Sequence, residues 1–498
     1  MQREQQPDAL RSLALPLIDE ANVGRDIFMT MVLEKLPKIE AGLDLLVIHP
    51  PPWGPDSPPL GPLALTTFLV DHGLQVQLLD LNAELATLFP EGSALWGMDQ
   101  AWRWSTPQYF SDIQNMLDSV VRSRASHILA AAPRLIGLSA TYGKELVIKY
   151  LLKIFRSLGY SGRIILGGPG VFLAEDRRAY ASDEDLICGY VVGEGERATL
   201  DLLRIPEVDW ASRQSPLLGT ATPIDMEYLP CPNPLLIHKY LYAKPHMMVE
   251  WSRGCVRTCR FCEMEILWGR YRSKSATQRV AELKHFYEVH GYSVFHCADP
   301  AVNGRYRTLM ETCKQLRALA LPIRWTGHLM ISPAMSSEDF LLLAASGCAK
   351  VGFGVESGSE RVLALMHKKT SLAAVERNVR DAHEAGLFVE IFLMVGYPGE
   401  CEEDVLATIA LLRKNRPYID AVRSINTVTV QHASALWRER STLGIEYHGR
   451  LVERDHDWSF GSDNTLEERR RRQQRILDVL NELGLSHHHA AGHDEFNS

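Results

Sequence analysis

Two long stretches of the chain alternate short, wholly apolar runs with longer amphipathic segments. In residues 43–204 the apolar runs Leu43–His49, Gln75–Asp80, Leu135–Ser139, Arg163–Leu166 and Asp185–Val192 are predicted as strands. Gly61–His72 and Tyr142–Leu158 carry helical spacing between them. Strands with no polar face are buried on both sides, which implies a parallel, doubly wound (Rossmann-like) α/β sheet covered by helices. In residues 245–436 the alternation restarts. Met247–Trp251, Ser293–Cys297, Ile323–Gly327, Lys350–Val355, Phe388–Val395 and Ala421–Val430 read as strands. Ala276–His290, Gly304–Ala320, Ser337–Ser346, Ala373–Gly386 and Cys401–Asn415 read as the intervening helices. This pattern predicts a partial (β/α)6 barrel rather than a closed eight-fold one, with its chemistry at the carboxyl ends of the strands.

The remaining segments are less regular. Residues 1–42 are expected to be a helical extension, with amphipathic spacing over Asp8–Glu40. Residues 205–244 hold Pro206, Pro216, Pro223, Pro230, Pro232 and Pro234, and read as a linker. Residues 437–498 form a small helical C-terminal region. There the run Glu467–Arg472, followed by Ile476, Leu477, Leu480 and Leu483, reads as a surface helix with a solvated charged face. Between Leu81 and Ala130, the residues Trp96, Trp102, Trp104, Tyr109 and Phe110 suit either an aromatic lid over a flat ligand or ordinary core packing.

Composition narrows the function. The chain has 498 residues, 46% hydrophobic and 23% charged, with net charge -8. It lacks both a basic footprint for nucleic acid and an apolar run long enough to span a membrane, and it is expected to be cytoplasmic. Nine cysteines in such a chain argue for metal ligation rather than a disulfide framework. Three of them, Cys255, Cys259 and Cys262, share one short polar loop, Ser252–Cys262, just after the first strand of the second alternation. Three thiolates on one loop suit a 4Fe–4S cluster whose fourth iron is left open to a small molecule. A zinc site, completed by Cys231 or Cys297, is the alternative.

The Cys-x3-Cys-x2-Cys spacing, with aromatic Phe261 before the last cysteine, resembles the signature of the radical S-adenosylmethionine (SAM) superfamily. Residues Lys350–Gly358 (KVGFGVESG) look like that family's fourth strand, Val395–Glu400 (VGYPGE) like its fifth-strand glycine motif, and Phe295–Asp299 like its second. The resemblance implies SAM as cofactor, Phe261, Asp299, Glu356, Gly396 and Glu400 as SAM contacts, and an electron donor such as flavodoxin or ferredoxin. It departs from many relatives after the sixth strand, where His432–Ala435 replaces Pro-Gly-Thr.

The first alternation lacks Gly-x-Gly-x-x-Gly after its first strand, and it lacks a P-loop. It resembles a cobalamin-binding domain, on Ser139-Ala140-Thr141, Gly167–Gly168 and Gly193–Glu196. That implies cobalamin as a second cofactor, with Ser139, Thr141, Gly167, Gly168, Gly193, Glu194 and Gly195 along its channel. The Asp-x-His-x-x-Gly cobalt-ligand motif is missing: Asp71-His72-Gly73 is misspaced, and His49 reads as structural. Together the resemblances imply a methyltransferase that moves a methyl group from methylcobalamin to an unactivated carbon of a small-molecule or natural-product intermediate. Alternatives are a cobalamin-dependent radical SAM enzyme that cyclises, rearranges or oxidises without methyl transfer, and a cobalamin- or metal-binding sensor. A methylthiotransferase needs three further cysteines in its N-terminal domain, whereas only Cys188 and Cys231 precede Cys255 here. Tyr306, Trp325, His328, Trp437, Asp457 and Trp458 are candidate pocket residues that read better as packing.

Overall fold

The computed structural model describes residues 36–54, 56–89, 95–97, 100–183, 185–205, 217–219, 223–237, 242, 246–448 and 457–487. The helices expected within Asp8–Glu40 therefore fall almost entirely outside the described residues. The chain divides into two compact units: residues 1–220 with 232–244, and residues 221–231 with 245–498.

The first unit is built on β1 (Leu45–His49), β2 (Val76–Asp80), β3 (Ile136–Ser139), β4 (Ile164–Gly167), β5 (Ile187–Val191) and β6 (Leu217–Leu218). They form one parallel sheet in the order β2-β1-β3-β4-β5-β6. Every residue of β1 is buried, as its unbroken apolar run requires. The order reverses between β1 and β3, which opens the crevice where such sheets take ligands. The proline-rich segment is more than a spacer. It supplies β6, and residues further along it are tied into the second unit, where Arg272 donates to the Ile224 carbonyl at 2.6 Å.

The aromatic insertion is core. Trp96 and Trp104 are fully buried, with ring centroids 5.8 Å apart, and Trp104 Nε1 donates to the Leu95 carbonyl at 2.8 Å. Phe110 continues the cluster at 6.3 Å on the long helix Pro107–Ala131. Arg124 on that helix reaches back to Glu84 in a buried bidentate pair.

The second unit contains β7 (His246–Val249), β8 (Ser252–Arg253), β9 (Arg272–Ser273), β10 (Val294–Cys297), β11 (Arg324–Leu329), β12 (Cys348–Glu356), β13 (Phe388–Val395), β14 (Ala421–Thr427), β15 (Ile445–Tyr447), β16 (Trp458–Phe460) and β17 (Ser486–His487). Its main sheet is wholly parallel, in the order β17-β14-β13-β12-β11-β10-β7. The six expected strands are present, and β17 adds a seventh beside β14. Two residues of mixed character carry no strand period, so the sequence pattern could not reveal it.

The arginine run overturns the solvated-face expectation. Helix Leu466–Glu482 leaves Arg470 and Arg471 exposed but buries Arg469 and Arg472. Three residues apart, the buried pair shares one helix face. Arg469 donates to the carbonyls of Asn464 (2.9 Å) and Trp458 (3.0 Å) and stacks its guanidinium 3.7 Å from the Trp458 ring centre. Arg472 donates to the Glu400 carbonyl at 2.9 Å. Among the described residues no helix is long and apolar enough to cross a membrane.

Removing Arg469 strands buried carbonyls, whereas removing Arg470 changes a surface. Arg469→Ala is expected to cost about 2–4 kcal/mol of unfolding free energy and Arg470→Ala less than about 0.5 kcal/mol. Urea denaturation of the two variants distinguishes them, and equal losses would refute the buried role.

Candidate active site

The three-cysteine loop leaves the sheet just beyond β7. Its base is pinched by β8 and β9, which pair antiparallel through Ser252↔Ser273 and Arg253↔Arg272. The loop's start is fixed by Asp299, almost fully buried beyond the end of β10. One carboxylate oxygen accepts from the Trp251 backbone N–H at 2.9 Å, and the other from the Ser252 hydroxyl. Burial raises the Asp299 pKa, and these two bonds, with Arg279 and Lys274 nearby, oppose the rise. Asp299 was expected to contact SAM; what the structure shows is a brace beneath the loop. Ser252, the partner in that brace, drew no notice as a site residue in the sequence because a lone serine carries no spacing signal.

Within the loop the Arg257 N–H points at Cys255 Sγ (3.4 Å) and Cys262 N–H bonds the Cys259 carbonyl (3.1 Å). The three cysteines are half-buried. Burial pushes the Cys262 thiol up to about 11 and raises that of Cys259, and in both the neighbouring cysteines of the trio add to the rise. The three thiols are thus electrostatic neighbours on one loop. Cys297 is buried next to Asp299 and Cys348, and Cys231 lies near Glu282 and Lys274, so neither joins the trio. Among the described residues no three His, Cys, Asp or Glu side chains converge as a set for one metal ion. Three thiols on one loop, with Cys231 and Cys297 held beside other groups, suit a cluster that leaves one iron open.

Glu356, at the end of β12, has φ +67°, a left-handed conformation that a non-glycine side chain adopts only under constraint. Its Oε1 lies 2.6 Å from Lys368 Nζ. Burial disfavours the Lys368 charge, but Glu356 and the thiols of Cys259 and Cys262 outweigh it and raise the pKa. Lys368 Nζ also sits 5.7 Å from the Phe261 ring centre. Glu356, Lys368, Phe261 and the cysteines thus form one neighbourhood. Lys368 was missed because it follows the strand by twelve residues, with no motif around it.

The Val395–Glu400 turn closes on itself. Glu400 accepts from the Gly396 N–H at 2.5 Å, and burial pushes its pKa up to about 7. Asn464 Nδ2 bonds both the Gly396 and Tyr397 carbonyls at 3.1 Å. Gly396 has φ +82°, and a Cβ there would collide with the Arg469 side chain. Glu400, expected as a SAM contact, is occupied in holding the turn.

In the first unit the glycine-rich ends of β3, β4 and β5 lie side by side. Gly168 has φ +113°, and a Cβ there would run into the Ala140 carbonyl oxygen. The Gly170 N–H bonds that same carbonyl at 3.0 Å. The glycines are therefore needed first for loop against loop. Thr141 Oγ1 is buried with no hydrogen-bond partner among the described residues, which suits an incoming polar group. Gly193, at φ +85°, faces open space, while Gly167 lies against Val191 and Gly195 against Leu65. Ser139 ends β3, and Glu194 precedes the helix that begins at Gly195. These small residues fit a thin ligand tail at the strand ends.

His49 closes β1 and is almost fully buried; its Nε2 lies 3.2 Å from Lys144 Nζ. Burial and then Lys144 hold its pKa well below the ordinary value. Burial also lowers Lys144 to about 7, against the pull of Asp80. Nε2 is thus engaged by Lys144, while Nδ1 is buried with no hydrogen-bond partner among the described residues.

Asp299→Asn places an amide against the Trp251 N–H donor. It is expected to lower bound iron after anaerobic reconstitution to less than about half, with unchanged far-UV circular dichroism, as loss of an orienting hydrogen bond does in metal sites. Full iron occupancy would refute the brace. Gly168→Ala is expected to cost about 2 kcal/mol in denaturant unfolding, since it combines a positive φ with a backbone collision. A loss within error would show that the loop can shift.

Known proteins match both halves. Residues 249–412 match the family model of the radical SAM superfamily. An uncharacterized methyltransferase of Pyrococcus horikoshii is 23% identical over 404 residues, 77% of this chain and 78% of that protein. The anaerobic magnesium-protoporphyrin IX monomethyl ester cyclase of Rubrivivax gelatinosus is 23% identical over 312 residues, 58% of this chain and 56% of the cyclase. The structure of TsrM from Kitasatospora setae, a radical SAM methyltransferase with cobalamin and a [4Fe-4S] cluster bound, superposes with a TM-score of 0.61 at 17% identity, covering 81% of this chain and 80% of TsrM. The chain thus shares the fold of TsrM, and residues 249–412 are a radical SAM domain.

Proposed function

We propose that the chain is a cobalamin-dependent radical SAM methyltransferase acting on an unactivated carbon of a small molecule. The observation that carries this reading is the joining, in one chain, of a three-thiol loop beside the strained Glu356 with a second parallel sheet whose strand ends are lined by glycine and an unpartnered buried hydroxyl. When bound, the cluster and SAM supply a carbon-centred radical, and cobalamin supplies the methyl group. Cys255, Cys259 and Cys262 would hold the cluster. Phe261, Asp299, Glu356, Gly396 and Glu400 would orient SAM, Asp299 and Glu400 by keeping the two supporting loops in place. Thr141, Gly168 and Gly193 would admit cobalamin, with Ser139, Gly167, Glu194 and Gly195 shaping the channel. A small electron carrier of the flavodoxin or ferredoxin type would reduce the cluster, and a cytoplasmic setting suits that chemistry.

The cyclase among the relatives supports a second reading, the same cofactors without methyl transfer. Product analysis separates the two. The methyltransferase reading expects a product one methyl heavier, formed with both S-adenosylhomocysteine and 5′-deoxyadenosine. 5′-Deoxyadenosine with an unmethylated product would overturn it in favour of the second reading. Cys259→Ala is expected to lose the visible absorption of the cluster and all 5′-deoxyadenosine formation; retention of either would remove the thiol trio from its role.

A further inference from the structure

The two faces of the main sheet in the second unit differ in kind. On one face Phe295, Trp325, Phe353, Val389 and Ile391 are almost completely buried. On the other, the alternate positions His296, His328, Lys350 and Phe392 stay accessible to differing degrees. Barrel interiors are ordinarily filled by bulky branched side chains. Here two of the inward positions are aromatic rings, and Gly352 gives them room: a Cβ there would lie 2.8 Å from His328 Cδ2 and 2.9 Å from Phe392 Cε2. His328 is the telling residue. Protein crowds it enough that burial pulls its pKa down to about 4, yet solvent still reaches it, so it stands on the wall of a hollow.

We propose that this hollow binds the anionic group, a carboxylate or a phosphate, of the small-molecule substrate, with Arg423 as its main ligand and His328 and Lys350 beside it. This rests on the enzymatic reading above and names its substrate class. Two cations share one carboxylate: Lys350 Nζ lies 3.1 Å from Glu390 Oε1, and Arg423 Nη1 reaches the same oxygen only at 4.0 Å. Lys350 thus satisfies Glu390, and the Arg423 charge is in excess on this face. His328 and Glu390 both pair in register with Gly352, and both cations reach Glu390, which gathers the three on one stretch of this face; the same two cations help to depress His328. A neutral imidazole packed edge-on against Phe392, centroids 5.0 Å apart, has a ring N–H to offer an anion. The remaining charged and titratable groups of this face are paired: His296 with Thr326 (2.9 Å) and His246, and Glu356 with Lys368. A guanidinium with an unfilled fork matches carboxylate or phosphate geometry. Arg423 stands four residues before the end of β14, on the order of 13 Å below the strand ends at about 3.3 Å per residue. The substrate would therefore carry its anion well away from the carbon that reacts.

The test is calorimetric titration of the anaerobically reconstituted full-length protein, saturated with SAM, using inorganic phosphate in one arm and succinate in the other. At least one anion is expected to bind. Arg423→Gln is expected to weaken that binding by about tenfold or more, and Glu390→Gln, which removes the competing carboxylate, to strengthen it, both at unchanged iron content. Strengthening cannot arise from misfolding, so it protects the test against an unstable arginine variant. Preference for phosphate or for succinate identifies the anion, and either supports the proposal. No binding of either anion to the unaltered protein at millimolar concentration, or equal affinity in both variants, overturns it. Because no turnover is measured, that failure is separate from a failure of methyl transfer.

Discussion

The candidate active site depends on one buried carboxylate. Asp299 receives the Trp251 N–H and the Ser252 hydroxyl, and so fixes where β7 stops and the cysteine loop starts. A carboxylate held away from water is costly unless its oxygens are filled by donors. Here the donors are the loop's own first residues. The loop cannot drift without uncovering the carboxylate, and this constraint supplies the precision that three thiols need. The β8–β9 pinch works in the same direction, tying the loop's first residues to Arg272 and Ser273 beyond it, so the excursion is closed at its base.

A second constraint runs across a long sequence separation. The turn after β13 is held from inside by Glu400 and from outside by Asn464, Arg469 and Arg472. Gly396 is glycine because an arginine side chain passes where a Cβ would stand. The C-terminal helix is therefore a wall of the second unit. Its sequence disguises this, since a run of four arginines reads as solvated while helical geometry turns two of them inward.

Much of this was legible in the sequence. The apolar runs marked all eleven of the strands of four or more residues, because strands buried on both faces need no alternation to be seen. The cysteine spacing marked the loop, and the residues resembling family motifs fall at strand ends. What escaped was the partnership of side chains. Nothing local to Asp299 says that it braces a loop, and nothing local to Glu356 names Lys368. The short strands β6 and β17 escaped because two residues hold no period. His328 read as packing because a histidine in an apolar strand usually is; its accessibility emerges only in the folded sheet.

The position of the two buried arginines also bears on how the protein is made. Synthesis runs from the N-terminus at about 5–20 residues per second, so Arg472 emerges on the order of 4–15 s after Gly396. During that interval the turn after β13 lacks its outer support, and β14 lacks the neighbour that β17 will provide. The nascent barrel therefore has an exposed sheet edge and an open turn until nearly the last helix has been translated. Packing of the turn after β13 thus waits on a residue 72 positions further along the chain.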